Sequence, residues 1–244
     1  MWKVVNATMR GTSHIKDNLP CQDVVDSSIS SVKIIVLADG AGSAKYSDLG
    51  AKHACDAIIS NIERRFCKLY ESDLPLLKKR LVDSIQLRLY NSAKKRKTDI
   101  TEFCSTLLFA AIKGNKLLIG HIGDGVIGAI DKTDNTIVIS EPERGEFANT
   151  TFFTTSNDYK AHFRIYKLSS DDFKSIFLMS DGTADCFYLR SDQKFSNAIT
   201  KISKWIETSD VSESEISDAI RDNMQNMFPS KTSDDCSFIM IHRV

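Results

Sequence analysis

Three apolar segments of this sequence each end in an Asp-Gly pair, and these acids are the first candidates for chemistry. The pairs are Asp39-Gly40, Asp124-Gly125 and Asp181-Gly182. A single Asp-Gly pair after a hydrophobic run is typical of an ordinary turn. Three such pairs, each at the end of an apolar run, favour a site to which buried strands deliver carboxylates.

A fourth acidic motif has the reverse order, because Asp234 and Asp235 precede the apolar run "CSFIMI". In an antiparallel sheet the end of one strand lies beside the start of its neighbour, so these acids can gather with Asp39 and Asp181 at one sheet edge. Crowded carboxylates cost free energy unless they are protonated or bound to cations. Oxygen ligands without a His/Cys set favour Mg²⁺, Mn²⁺ or Ca²⁺.

The composition narrows the classes of partner. Among 244 residues, Lys plus Arg and Asp plus Glu both number 32, so the overall charge indicates neither nucleic acid nor an anionic membrane as partner. The six cysteines are scattered without a CxxC pair, and no segment has the length and apolarity of a membrane span or a signal peptide. We therefore expect a cytoplasmic protein, with a monomer as the default.

Hydrophobic periodicity predicts one α+β domain over residues 1–244. Short runs rich in Val, Ile, Leu and Phe predict strands at 32–38, 105–112, 116–120, 126–130, 136–139, 175–179 and 237–242. Amphipathic patterns predict helices at about 47–66, 77–89, 195–206 and 212–227. Short loops in the middle block favour antiparallel neighbours. The irregular segment 141–164 is either a functional flap or a disordered loop.

The acidic motifs, in their order, resemble those of the metal-dependent type 2C protein phosphatases. The matching segments are "CQD", "ADGAGSAKYSDLGA", "CSTLLFAAI", "GHIGDG", "MSDGTAD" and "SDDCS". The resemblance spans residues 11–241 and implies a four-layer α-β-β-α sandwich of two antiparallel sheets flanked by helices. It also implies two or three Mn²⁺ or Mg²⁺ ions and a phosphorylated protein as substrate.

The resemblance also implies roles for individual residues. Asp39 would bridge two metal ions, with the carbonyl of Gly40 on one of them, and Asp181 and Asp234 would hold the other. We prefer Asp234 to Asp235 because the family pattern is Asp-Asn-x-Ser with its first acid as the ligand. Asp124 would bind an additional, weaker metal. Asp23 would orient metal-held water.

The chain departs from the family pattern at one position. The family has an Arg shortly before its early acidic pair, where a planar bidentate donor grips the substrate phosphate. Here "GTSHIKDNLPCQD" offers His14 and Lys16, with no Arg after Arg10. His14 is the candidate for the phosphate contact and for proton donation to the leaving group, against the alternative of a structural histidine. The departure resembles a bacterial subgroup whose flap contains a segment like that at 145–151.

These features together predict a metal-dependent hydrolase for phosphoserine or phosphothreonine in proteins. No cysteine lies in a phosphate-cradling Cys-x5-Arg loop, which argues against a covalent thiol-phosphate intermediate. Two alternatives stay open. One is a regulatory or binding module with weak or no catalysis, and the other is a phosphatase for a small phosphorylated metabolite.

Overall fold

The described strands form two five-stranded sheets and a short hairpin. The computed structural model describes residues 1–143, 151–208 and 210–244. The strands are β1 (Trp2–Met9), β2 (Asp23–Ile29), β3 (Lys33–Asp39), β4 (Leu107–Lys113), β5 (Lys116–Ile122), β6 (Val126–Asp131), β7 (Thr136–Ser140), β8 (Arg164–Ser169), β9 (Phe173–Met179), β10 (Tyr188–Leu189), β11 (Lys194–Phe195) and β12 (Cys236–Arg243). Sheet I has the order β1-β12-β9-β6-β7, and sheet II has the order β2-β3-β4-β5-β8.

Long helices cover the outer faces of the two sheets, and shorter helices lie in the connections. They are α1 (Thr12–Lys16), α2 (Ser47–Glu71), α3 (Leu74–Arg96), α4 (Tyr159–His162), α5 (Asp181–Phe187), α6 (Asn197–Thr208) and α7 (Glu213–Met227). One apolar cluster joins α2 and α3 to sheet II, a second joins α5, α6 and α7 to sheet I, and a third fills the space between the sheets. The predicted α-β-β-α layering is therefore confirmed.

The apolar run of strand β3, from Ile34 to Ala38, is explained by packing on both of its faces. Ile34, Val36 and Ala38 belong to the cluster under the helices, whereas Ile35 and Leu37 belong to the cluster between the sheets. Successive side chains of a strand point to opposite faces, and both faces of this strand are covered. The end of this buried run places Asp39 at the edge of the sandwich.

The helix predictions agree with local capping. Ser212 and Glu215 form a capping box at the start of α7, where a helix is predicted. Ser212 Oγ accepts from Glu215 N (3.2 Å), and Glu215 Oε2 accepts from Ser212 N (3.0 Å). At the start of α3, Asp73 Oδ1 accepts from Leu76 N at 2.8 Å. No helix in the described ranges combines the length and apolarity that crossing a bilayer requires.

Several elements differ from the prediction. The sequence reading did not find β1, β2 or β8, and it assigned Phe195 to a helix, whereas Phe195 lies in β11 and α6 begins at Asn197. Paired neighbours in both sheets are antiparallel, as predicted. The predicted flap at 141–164 corresponds to the connection between β7 and β8, within which 144–150 lie outside the described residues.

Candidate metal centre

The acidic motifs come together around a cavity of about 190 Å³ at one end of the sandwich. Its described lining consists of His14, Gln22, Asp39, Gly40, Ala41, Gly42, Thr106, Asp124, Thr151, Phe153, Asp181 and Asp234. Six of the seven predicted site residues are therefore in this wall. The seventh, Asp23, lies behind it.

Both sheets supply carboxylates to the cavity. Asp39 is the last residue of β3 in sheet II, and Asp181 is the first residue of α5, directly after β9 of sheet I. Asp234 lies just before β12 of sheet I, and Asp124 lies in the link that passes from sheet II to sheet I. The cavity thus lies where the two sheets present their strand ends side by side.

Asp23 is the register partner of Asp39 across the β2–β3 ladder. It is only 6% exposed, and neither carboxylate oxygen accepts a hydrogen bond from the described residues. Burial raises the pKa of Asp23 to about 8, and the nearby carboxylate of Asp235 adds to this rise, while the hydroxyls of Ser180 and Ser237 offset part of it. A buried carboxyl that two nearby hydroxyls stabilise only in part favours either a proton or a nearby cation.

The carboxyls in the cavity wall show the same electrostatic stress. Burial raises the pKa of Asp181 to about 7, with further contributions from Asp124 and Asp234. Burial also raises the pKa of Asp39 well above its usual range, followed by the charges of Asp23 and Asp181. In the protein alone these acids compete for protons, and divalent cations would relieve the same repulsion.

The donor set fits hard divalent cations. The described lining offers carboxylate, carbonyl, amide and hydroxyl oxygens and contains no Lys or Arg that could neutralise the acids. Within the described part of the chain, no three Asp, Glu, His or Cys side chains come close enough together to form the protein ligand set of a single ion. Mg²⁺ commonly binds through one or two carboxylates, with water completing its shell.

The backbone around the acids is tightly held. Thr106 N donates to Asp39 O at 2.8 Å, and Asp39 N donates to Thr106 Oγ1 at 3.0 Å. A Cβ atom on Gly40 would lie 2.7 Å from the carbonyl carbon of Ser47, at the start of α2. Glycine after Asp39 therefore allows α2 to approach the strand end closely.

The two adjacent acids before β12 take different places. Asp234 lines the cavity, whereas Asp235 is 3% exposed and points toward the backbone amides of Gly11 and Gln22 and toward His14. This placement agrees with the choice of Asp234 as the metal-ligand candidate. The sequence reading assigned no role to Asp235, and its alignment with an Asn of the family pattern was the available signal.

His14, the sequence-based candidate for the phosphate contact, lies in the cavity wall. Its Nδ1 lies 2.9 Å from Asp235 Oδ2, and its side chain is 13% exposed. Arg10 is exposed, donates from Nη1 to Leu19 O at 3.3 Å and is not part of the lining. Of the basic side chains in the segment before Asp23, His14 is the one in the wall.

The described part of the flap connection borders the cavity. Thr151 and Phe153 line it, and Glu143 N donates to Gly123 O at 3.0 Å, next to Asp124. Arg164 braces the same end through Nη1 to Glu141 O (2.6 Å) and Nη2 to Gly123 O (3.4 Å). The subgroup-like segment 145–151 lies outside the described residues except for Thr151.

A larger cavity, of about 480 Å³, lies between α6 and α7 and is mainly apolar. Its described lining includes Trp205, Met224 and Phe228 but no Asp or Glu. Without oxygen ligands of this kind it does not suit a divalent cation. The chemistry of the residues, rather than the size of the space, therefore selects the smaller cavity.

Solved structures share this fold. The Staphylococcus aureus serine/threonine phosphatase Stp1 matches with a TM-score of 0.67 at 15% identity, over 100% of this chain and 96% of that chain. The catalytic domain of the serine threonine protein phosphatase PstP, solved in complex with 2 manganese ions, matches with a TM-score of 0.66 at 13% identity, over 99% of this chain and 97% of that chain.

Sequence comparison places the chain in a family. Residues 10–221 match the family model described as protein phosphatase 2C. The chain belongs to the protein phosphatase 2C family. It is also 31% identical over 166 residues to serine/threonine-protein phosphatase 3 of Escherichia coli (strain K12), and the matched region covers 64% of this chain and 64% of that protein.

Proposed function

We propose that this chain is a metal-dependent phosphomonoester hydrolase that removes phosphate from phosphoserine or phosphothreonine in proteins. The observation that carries the proposal is the cavity into which both sheets deliver Asp39, Asp181 and Asp234 beside Asp124. The names of the family and of its relative in Escherichia coli support a protein substrate. The proposal treats residues 1–244 as one catalytic domain acting in the cytoplasm, where six free cysteines would stay reduced.

The proposed metal ligands are the residues of the cavity wall. Asp39 and the carbonyl of Gly40 would contact the ions together with Asp181 and Asp234, and Asp124 would hold a further, weaker ion. When bound, two or three Mn²⁺ or Mg²⁺ ions neutralise phosphate charge and lower the pKa of water to give a nucleophile at neutral pH. The two manganese ions of the PstP complex support this number in a protein of the same fold.

The remaining residues of the wall would handle the substrate. His14 would donate a hydrogen bond to a phosphoryl oxygen and a proton to the leaving group, which are roles of a protonated imidazole. Asp23, buried behind Asp39, would orient water in the cavity. The phosphoprotein would be the product of a Ser/Thr kinase, and Thr151 and Phe153 on the flap side would border it.

Hydrolysis of p-nitrophenyl phosphate and of a phosphothreonine peptide tests the proposal. We expect phosphate release with Mn²⁺, its loss with EDTA, and a loss of about 100-fold or more in Asp39→Asn because a charged ligand is removed. Asp218→Asn on the exposed face of α7 is the matched control and should keep full activity. A chain that hydrolyses neither substrate with Mn²⁺ or Mg²⁺ would instead support the binding-module alternative.

A further inference from the structure

Asp235 is a buried carboxylate that receives three hydrogen-bond donors. Its Oδ1 accepts from Gly11 N at 2.7 Å, and its Oδ2 accepts from Gln22 N at 2.6 Å and lies 2.9 Å from His14 Nδ1. The side chain is 3% exposed. Both oxygens are therefore occupied by donors of the protein itself, and Asp235 is not part of the described lining of the cavity that Asp234 lines.

The three donors belong to one excursion of the chain between β1 and β2. Gly11 stands at its start and Gln22 near its end, and α1 between them carries His14. The excursion is held a second time, because Ser13 N and Oγ both donate to Ser233 O, at 3.1 and 2.7 Å. One carboxylate thus fixes both ends of the segment and the ring in its middle.

The close packing at Gly11 shows how little freedom this arrangement has. A Cβ atom on Gly11 would lie 2.4 Å from the carbonyl carbon of Asp234. The segment before β12 and the segment before α1 therefore touch through their backbones. The position of the His14 backbone is set by the same residues that carry the acidic pair.

The contact also determines which nitrogen of His14 is left for the cavity. The two oxygens of Asp235 already accept from the backbone amides of Gly11 and Gln22, so the ring presents a hydrogen on Nδ1 to Oδ2. No described residue forms a hydrogen bond with Nε2, and the side chain lines the cavity. Nε2 is therefore the atom available to a ligand in the cavity.

We infer that Asp235 is a positioning residue for the reaction, which acts by holding Nδ1–H of the His14 ring so that Nε2, which carries the second hydrogen of the protonated ring, is turned to the cavity. This inference rests on the proposed function, in which His14 contacts the phosphoryl group. A carboxylate suits the task better than an amide. An Asn has a single oxygen, and its NH₂ group would have to face one of the three donors.

The ring itself provides the first test. In the full-length protein with Mg²⁺, long-range ¹⁵N–¹H correlation spectra should show His14, assigned by loss of its signals in His14→Gln, with its hydrogen on Nδ1 when neutral. In Asp235→Asn the neutral ring should shift toward the Nε2–H form. A wild-type ring with its hydrogen on Nε2 would overturn the inference, and this measurement does not require that the protein hydrolyse anything.

A double-mutant cycle provides the second test. With the phosphothreonine peptide, we expect Asp235→Asn to lower kcat about 10-fold or more, and to add less than about 2-fold when introduced into His14→Gln, because residues that act as a unit are not additive. Losses that multiply would mean that Asp235 acts independently of His14. If Asp235→Asn does not fold, the wild-type spectrum decides alone. A wild type without metal-dependent hydrolysis would refute the proposed function but leave the ring measurement valid.

Discussion

Asp23 and Asp39 lie opposite each other as register partners, at the first position of β2 and the last position of β3. Two acids directly opposite each other in a ladder repel, and here Asp23 is buried and Asp39 is half-buried. The repulsion between Asp23 and Asp39 therefore destabilises the paired ends of β2 and β3 at the edge of the cavity. The energetic consequence should be visible in the protein without metal.

The metal-free protein should lose stability as the pH rises toward 8. The folded pKa of Asp23 is about 8 and its usual value is 3.8, so the folded state binds more protons than the unfolded state between these values. The free energy of unfolding must then fall with rising pH in this window and level off above it. Thermal unfolding in EDTA should show a falling Tm between about pH 6.5 and 8, and Asp23→Asn should flatten this slope.

Adding Mg²⁺ in the same experiment should raise Tm more at pH 8 than at lower pH, since protons and cations compete for the same carboxyls. Burial lowers the pKa values of the buried His121 and His242 rings below the usual 6.5. These rings therefore destabilise the folded protein only when the pH falls below about 6.5, and the test window begins there to exclude their effect. A metal-free Tm that rises between pH 6.5 and 8 would contradict the assignment of these acids as electrostatically stressed.

Gly40→Ala should damage the site, whereas Gly42→Ala should not. The new Cβ at Gly40 would lie 2.7 Å from the carbonyl carbon of Ser47, but at Gly42 the nearest atom is Gln22 Oε1 at 3.7 Å, an ordinary contact. We expect Gly40→Ala to cost about 1–3 kcal/mol through overpacking and to weaken Mg²⁺ binding. Gly42→Ala should stay within about 0.5 kcal/mol of the parent.

Urea unfolding and calorimetric titration with Mg²⁺ measure both effects. The two glycines lie in the same loop, so the pair separates a steric clash from a general sensitivity of that loop. Equal behaviour of the two variants would show that α2 can retreat from the end of β3 without cost.

His14→Ala should reduce catalysis on the phosphothreonine peptide while leaving metal binding intact. Loss of a contact made to the bound phosphate raises KM, and loss of a contact made only in the transition state lowers kcat. We expect a fall in kcat/KM of about 10-fold or more. His53→Ala, on α2, is the control for removing an imidazole elsewhere. Unchanged kcat and KM would make His14 a structural residue.

Arg164→Ala should affect a peptide substrate more than a small one. Arg164 contacts Glu141 O and Gly123 O and lies 3.3 Å from Glu143 Oε2, so it ties both ends of the flap connection together. Loosening this end should disturb Thr151 and Phe153 in the cavity wall. We expect KM for the phosphopeptide to rise several-fold, which is on the order of 1 kcal/mol, with little change for p-nitrophenyl phosphate.

Hydrogen exchange over residues 151–156 should increase in the same Arg164 variant. Arg221→Ala on α7, which removes a surface arginine paired with Asp218, is the charge-matched control. An equal rise in KM for both substrates would place the effect on the metal site instead of the flap.

The strands that the sequence predicted most clearly are those with continuous apolar runs. Strand β3 is buried on both faces, so its sequence is apolar throughout and its terminal Asp39 is conspicuous. Strand β2, "DVVDSSI", is half-buried and polar, and it forms because it pairs with β3, so its composition alone gave no strand signal. The exact partners of β2 are a tertiary property.

The candidate site also combines features that the sequence predicts with features that only the tertiary structure determines. Sequence order identified Asp39, Asp181 and Asp234 as candidates, but the prediction that they share one sheet edge was wrong. Asp39 ends a strand of sheet II, whereas Asp181 and Asp234 flank strands of sheet I, and only the packing of the two sheets brings them together. Sequence order could not show that Asp234 and Asp235 face different surroundings, because neighbouring residues of the same type are equivalent until the backbone is placed. The contact of Asp235 with His14 joins positions far apart in the chain, and no local pattern predicts it.

The supply of carboxylates from both sheets links activity to completion of the fold. Strand β12 lies between β1 and β9, so sheet I is not continuous until the last strand in chain order has entered it. The same step brings Asp234 to the cavity. A nascent or truncated chain with only sheet II formed would contain Asp39 at the cavity without Asp181 and Asp234, and would bind cations weakly. Under the proposed function, correct assembly would thus act as a safeguard, since a partly folded chain could not release phosphate from a substrate.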